Sequence, residues 1–146
     1  LHHIIVRGIE RKKIFRSDDD RKNFLNRLGT LIPETQTDCF AWALIPNHVH
    51  LLLRTGSIPV SVLMSRLLTG YVVWFNKKYR RHGQLFQNRY KSILCQEDPY
   101  LKELVRYIHL NPLRAGLVDD MKKLDQHPWC GHGVLMNTTK QTWQNV

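Results

Sequence analysis

The chain has no apolar run close to the roughly 20 residues needed to cross a membrane, and no signal peptide is visible after Leu1. A membrane protein is therefore not expected. Cysteine is scarce: Cys39, Cys95 and Cys130 are odd in number and scattered. This argues against a disulfide framework and for a reducing, cytoplasmic compartment. Internal repeats, low-complexity linkers and a second domain are also missing, so residues 1–146 read as one domain with a loop-rich tail after about Val118. Acidic residues are few, 12 against 22 lysines and arginines. The resulting formal charge of +10 and pI near 9.9 favour a polyanionic partner, nucleic acid before an anionic membrane surface.

Against this background Pro46-Asn47-His48-Val49-His50-Leu51-Leu52-Leu53 stands out. Ile45 to Arg54 reads as a turn feeding a buried strand. Residues two apart on a strand share a face, so His48 and His50 project together while Val49, Leu51 and Leu53 point into a core. Two adjacent imidazoles supply part of a metal site, or they are simply hydrogen-bonded histidines.

The rest of the chain alternates strand and helix patterns. Leu1 to Gly8 is a strand candidate, followed by a basic loop at Arg11, Lys12 and Lys13. Ser17 and the acids Asp18, Asp19 and Asp20 open a helix that Pro33 ends or kinks. Cys39 to Ile45 is a strand with Phe40, Trp42 and Leu44 on one face, and it forms a hairpin with the histidine strand. A long helix runs from about Pro59, carries Leu63, Met64, Leu67, Tyr71 and Phe75 at helical spacing, and stops at Gly83. Leu85 to Cys95 is extended. Asp98-Pro99 opens a last helix with Leu101, Leu104, Val105 and Ile108 as its buried stripe, and Asn111-Pro112 closes it. This order predicts a ferredoxin-like α+β fold with helices on one side of an antiparallel sheet.

The last helix holds Tyr107-Ile108-His109-Leu110-Asn111. Tyr107 and Asn111, four apart, share a helix face. Asn111 can offer an oxygen ligand to Mg²⁺, or to Mn²⁺, which also tolerates imidazole. Tyr107 would stand over the same ion, although a tyrosine near a helix end is also ordinary amphipathic packing.

Four ordered segments carry a resemblance. They are Arg7-Gly8, Ile45 to Leu53, Gly83-Gln84-Leu85-Phe86-Gln87-Asn88-Arg89-Tyr90-Lys91-Ser92, and Tyr107 to Gly116. Together they resemble the single-tyrosine HUH transposases, and among these the REP-associated tyrosine transposases. The likeness spans about Leu1 to Gly116, with Ile45 where methionine is usual and Pro33 inside the first helix as departures. It implies that His48, His50 and Asn111 hold a divalent metal and that Tyr107 is the nucleophile. It further implies cutting of single-stranded DNA beside a hairpin, through a 5′-phosphotyrosine that leaves a free 3′-hydroxyl. The family includes monomers and homodimers. The branch favours a monomer, acting in a bacterial-type, nucleoid-associated setting.

The candidates for contacts to DNA are Arg7, Arg11, Lys12, Lys13, Arg89, Tyr90, Lys91 and Arg114. Arg89 and Lys91, two apart in the extended stretch, are expected on one face, and Tyr79 and Tyr90 can stack on unpaired bases. Lys77 to Arg81 belong either to a DNA path or to a helix C-terminus. His127, Cys130 and His132 lack a fourth zinc ligand. His2, His3, His82 and His109 read as ordinary polar residues, and no general base for Tyr107 stands out. The competing function is a protein that binds structured nucleic acid without cutting it.

Overall fold

The computed structural model describes residues 1–87, 89–95 and 97–145, the stretch 97–100 by its backbone alone. Four strands, β1 (His2–Arg7), β2 (Asp38–Ile45), β3 (His48–Arg54) and β4 (Lys91–Leu94), form an antiparallel sheet in the order β2-β3-β1-β4. This is the ferredoxin-like α+β arrangement. The β2–β3 hairpin turns at Pro46-Asn47, and Ile45 pairs with His48.

One face of the sheet carries Ile4, Val6, Trp42, Leu44, Val49, Leu51 and Leu53, all buried. Two helices cover it, α1 (Asp18–Glu34) and α2 (Val60–Lys78), through Phe24, Leu28, Leu63, Leu67, Tyr71 and Phe75. Their register follows the apolar spacing of each sequence. Ser17 caps α1 in a reciprocal capping box with Asp20. Pro33 sits in the final turn of α1, so it ends the helix at Glu34 without shortening it.

Helices are not confined to one side. The helix α3 (Glu97–His109) packs on the opposite face, against β2 and β3. The floor there is Ala41, Ala43 and Leu52, on which Ile108 is fully buried and Leu101, Leu104 and Val105 are partly buried. Small residues let the helix approach closely, and this inconspicuous floor is what the reading of a one-sided sheet overlooked. The N-terminal capping expected of Asp98-Pro99 involves side chains outside the described residues.

Four other boundaries differ from expectation. A bulge between Cys39 and Ala41 puts Phe40 on the α3 face, away from Trp42 and Leu44. The helix α2 ends at Lys78, with Tyr79 as its C-cap and Arg80 at φ 52, so Gly83 lies in the following loop. In the extended stretch Lys91–Leu94 forms β4 and Phe86 makes an isolated antiparallel bridge with Gly8, while Arg89 lies between them outside any strand. Finally, Asn111-Pro112 does not close the helical path. Leu110 keeps helical angles, and a short α4 (Asn111–Arg114) takes Pro112 in its first turn, where no amide hydrogen is needed.

The tail is more ordered than its composition suggests. It forms α5 (Met121–Gln126) and α6 (His132–Leu135), then returns along β2. The amide of Leu44 donates to Trp129 C=O at 2.8 Å, that of Gly131 to Trp42 C=O at 2.9 Å and that of Asn145 to Cys39 C=O at 2.8 Å. These bonds occupy the outer edge of the sheet.

A buried carboxylate ties α1 to α2. Asp20 is fully buried and accepts from the amides of Arg16 (2.8 Å) and Ser17 (3.2 Å), from Lys78 Nζ (2.7 Å) and from the Tyr79 hydroxyl. Burial alone would raise its pKa, but the bonds from Lys78, Tyr79 and the Arg16 amide outweigh it and hold the carboxyl below its ordinary value. The contribution is therefore present above the unfolded carboxylate pKa and is lost as pH falls through the folded one. Asp20→Ala removes the box and strands its donors. It is expected to cost about 2–3 kcal/mol near neutral pH, with the loss shrinking in acid, as urea unfolding at several pH values will measure.

Candidate active site

The site lies on the α3 face of the sheet, where β1, β3 and the end of α3 meet. Pairing of β1 with β3 sets Arg7 opposite His48 and Ile5 opposite His50. The two histidines project from one face, with ring centroids 5.0 Å apart. His50 is 4% exposed, and His48 is half-buried. Burial lowers both pKa values. For His48 the charge of Arg7 adds to the effect. His50 falls to about 3 through burial, then His48, His3, Arg7 and Arg114. Both imidazoles are thus neutral near pH 7, the form that binds metal.

His3, read from sequence as an ordinary polar residue, belongs to this cluster. It is buried, and its Nε2 lies 3.1 Å from Nδ1 of His50. The signal was cross-strand: His3 pairs with Leu52, so it sits diagonally from His50 on the same face. Its pKa is lowered by burial and by Lys91.

Tyr107 stands at the end of α3 with its ring edge-on to His3 and His50, at centroid distances of 6.0 and 6.2 Å. It is 44% exposed, and its hydroxyl makes no hydrogen bond among the described residues. The Arg114 guanidinium lies 4.4 Å from its ring centroid. A groove of about 650 Å³ opens beside it, lined by Leu94, Cys95, Glu103, Leu104, Arg106 and Arg114. Asn111 donates its side-chain amide hydrogen to the Tyr107 carbonyl at 3.1 Å, which leaves its amide oxygen unspent.

The donors present suit a divalent metal ion. Asn47 Oδ1 lies 2.7 Å from His48 Nδ1, and an amide oxygen only accepts, so that nitrogen carries the proton and Nε2 keeps its lone pair. His50 likewise has Nδ1 engaged and Nε2 without a protein partner among the described residues. Among those residues no three His, Cys, Asp or Glu side chains form a metal cluster; the Asn111 amide oxygen is a donor of another type. His127, Cys130 and His132 form no such group either; His132 pairs with Asp125 at 2.6 Å.

Of the basic candidates, Arg7, Lys91 and Arg114 act electrostatically on the histidines and so border the site. Arg11, Lys12 and Lys13 lie on a loop beside it. The amide of Gly8 anchors this loop to Asn47 C=O at 2.8 Å. Gly8 is required there: a Cβ would come within 2.1 Å of the Lys12 carbonyl oxygen. Lys12 pairs with Glu10 at 3.4 Å. Arg89 and Lys91 do not share a strand face. Arg89 and Tyr90 line a cleft with Met64 and Leu68 of α2, on the far side of the sheet, while Lys91 sits near His3. Asn88, within the third resembling segment, lies outside the described residues. Tyr79 and Lys78 are engaged by Asp20 and Arg81 by Asn76 at 2.7 Å, which makes much of the Lys77–Arg81 cluster structural.

Comparison with known proteins bears on the family and the fold. Residues 1–111 match the family model described as IS200-like transposase. No curated protein matches the chain. Among solved structures, a REP-associated tyrosine transposase bound to a REP hairpin superposes with a TM-score of 0.71 at 14% identity, over 99% of this chain and 90% of that one. A protein of Deinococcus radiodurans R1 assigned as a transposase gives 0.51 at 16% identity, over 75% of this chain and 88% of its own.

Proposed function

The chain belongs to the IS200-like transposase family, and we propose that it is a metal-dependent single-stranded DNA endonuclease and strand transferase acting beside DNA hairpins, with Tyr107 as nucleophile. The observation that supports this most is the edge-on contact of Tyr107 with His3 and His50 at 6.0 and 6.2 Å. It sets the half-exposed tyrosine of α3's C-terminal turn beside His50, whose Nε2 has no protein partner among the described residues, and beside His3, whose Nε2 is engaged by His50 Nδ1. The solved transposase with a REP hairpin supports hairpin DNA as the substrate.

In this reading His48, His50 and Asn111 hold Mg²⁺ or Mn²⁺, which supplies polarisation of a phosphate oxygen when bound. The Tyr107 oxygen forms a bond to phosphorus, the bond from phosphorus to the 3′-oxygen breaks, the tyrosine proton leaves to solvent or a base, and the departing 3′-oxygen takes up a proton from solvent. The strand upstream ends in a free 3′-hydroxyl, and the strand downstream is held as a 5′-phosphotyrosine. Attack by another 3′-hydroxyl reverses the bond changes and joins strands. Arg7, Lys91 and Arg114 border the centre and attract the phosphate backbone. The groove beside Tyr107 gives the strand a path. Among the described residues no helix is long and apolar enough to cross a membrane.

Phosphate contacts should dominate affinity, given the charge of +10. Log affinity for a hairpin with a single-stranded flank is expected to fall linearly with log salt, by about 0.7 per single-strand phosphate neutralised. Fluorescence anisotropy across a salt series measures this. A flat response would remove nucleic acid as the main partner. Covalent trapping on labelled hairpin DNA with Mn²⁺ tests the reaction itself. Binding without any adduct would favour the non-cleaving alternative.

A further inference from the structure

We infer that His3 is a positioning residue: its Nε2 fixes His50 in the tautomer that leaves the His50 Nε2 free for a divalent metal. The inference rests on the metal reading above and adds a residue to it.

Only two neutral arrangements fit the 3.1 Å contact between His3 Nε2 and His50 Nδ1. In one, His50 Nδ1–H donates to His3, and the lone pair of His50 Nε2 faces outward. In the other, His3 Nε2–H donates, and His50 presents an N–H that cannot bind metal. His48 shows the same device, with Asn47 Oδ1 at 2.7 Å from its Nδ1. Each candidate ligand thus has Nδ1 engaged and Nε2 open, one through the hairpin turn and one through the neighbouring strand. His3 is suited to hold this geometry. It is 6% exposed, it stands on a paired strand, and its ring is packed edge-on against Tyr107. It is not itself a third ligand: no three His, Cys, Asp or Glu side chains among the described residues form a metal site, and its Nε2 is spent on His50. A hydrogen-bond partner behind a ligating imidazole fixes its tautomer and raises its basicity, and loss of such a partner typically weakens metal affinity 10–100-fold.

The test uses the full chain with ¹⁵N-labelled histidine. In the metal-free protein, long-range ¹H–¹⁵N spectra should show His50 protonated on Nδ1. His3→Phe, which keeps a ring but removes the acceptor, should shift His50 toward Nε2–H and weaken Mn²⁺ binding, read by electron paramagnetic resonance, by about 10–100-fold. His3→Gln, whose amide oxygen accepts, should restore most of that affinity. Hairpin binding should stay within about twofold throughout, because His3 contributes no charge to the DNA path. If the unaltered protein binds no Mn²⁺, the metal reading falls and this inference with it. If it binds Mn²⁺ while His50 is protonated on Nε2 before loading, or if folded His3→Phe binds Mn²⁺ as tightly, His3 has no such role. Should His3→Phe fail to fold, the unaltered spectrum and the His3→Gln affinity still decide.

Discussion

Tyr107→Phe is expected to abolish the covalent protein–DNA adduct while leaving folding and hairpin affinity nearly unchanged. The change removes one oxygen and keeps the ring. That oxygen makes no hydrogen bond among the described residues, and the side chain is 44% exposed, so the stability cost should stay within about 0.5 kcal/mol. The ring contacts with His3, His50 and Arg114 survive. What disappears is the hydroxyl that attacks phosphorus in the proposed reaction. Other tyrosines are poorly placed to substitute. Tyr71 is fully buried and donates its hydroxyl to the Ile14 carbonyl. Tyr79 donates to Asp20, and Tyr90 lines a cleft with α2 on the far face. Tyr100 is placed by its backbone alone, about two turns before Tyr107. Asn111→Ala should behave differently, keeping the nucleophile and raising the metal concentration needed for cleavage. A denaturing gel with labelled hairpin DNA and Mn²⁺, followed by mass spectrometry of the digested adduct, measures both outcomes. DNA joined to another tyrosine, or an adduct persisting in Tyr107→Phe, would overturn the assignment.

Elements with strong periodicity were legible in one dimension, and contacts between elements were not. The run from Val49 to Leu53 and the stripes of α1 and α2 declare their faces, because alternation and helical spacing are properties of a single segment. The ferredoxin-like order follows from the sequence of those segments. The α3 face was missed because its floor is two alanines and one leucine within strands whose larger residues point the other way. His3 was missed because its partner is on another strand, and register depends on pairing that no local pattern encodes. For the same reason the sequence shows Asp20 as part of a helix start and Lys78–Tyr79 as part of a helix end, and not the joint between them. The tail gave little periodic signal because backbone bonds to β2, together with Trp42 Nε1 donating to Gln144 at 2.8 Å, carry much of its order.

Replacing either His48 or His50 by alanine is expected to eliminate metal-dependent cleavage and to leave hairpin affinity within about threefold. The two properties separate because they have different sources. In the proposed reading backbone affinity comes from cations such as Arg7, Lys91 and Arg114, whereas the histidines serve the metal. Removing one of the three proposed protein ligands would lower Mg²⁺ or Mn²⁺ occupancy and disturb the orientation of the phosphate to be polarised. His50→Ala should also lower stability slightly, since it leaves space under Tyr107 and removes the partner of His3. Cleavage is therefore best compared well below the unfolding transition. The pH dependence gives a second readout. Burial, with Arg7 and other cations, holds both histidines below the ordinary value of 6.5. Metal binding should consequently persist below pH 6.5 and fail only when the folded-state imidazoles take up protons. Over the same range the unfolded chain binds protons first, so stability declines as pH falls below about 6.5. Unfolding curves at each pH separate that loss from loss of metal. Isothermal titration with Mn²⁺, hairpin anisotropy and cleavage rate, measured on the same preparations, test the whole set. An alanine variant that cuts at the unaltered rate with the same metal would put the metal elsewhere and leave the His48–His50 pair as two hydrogen-bonded histidines on a strand.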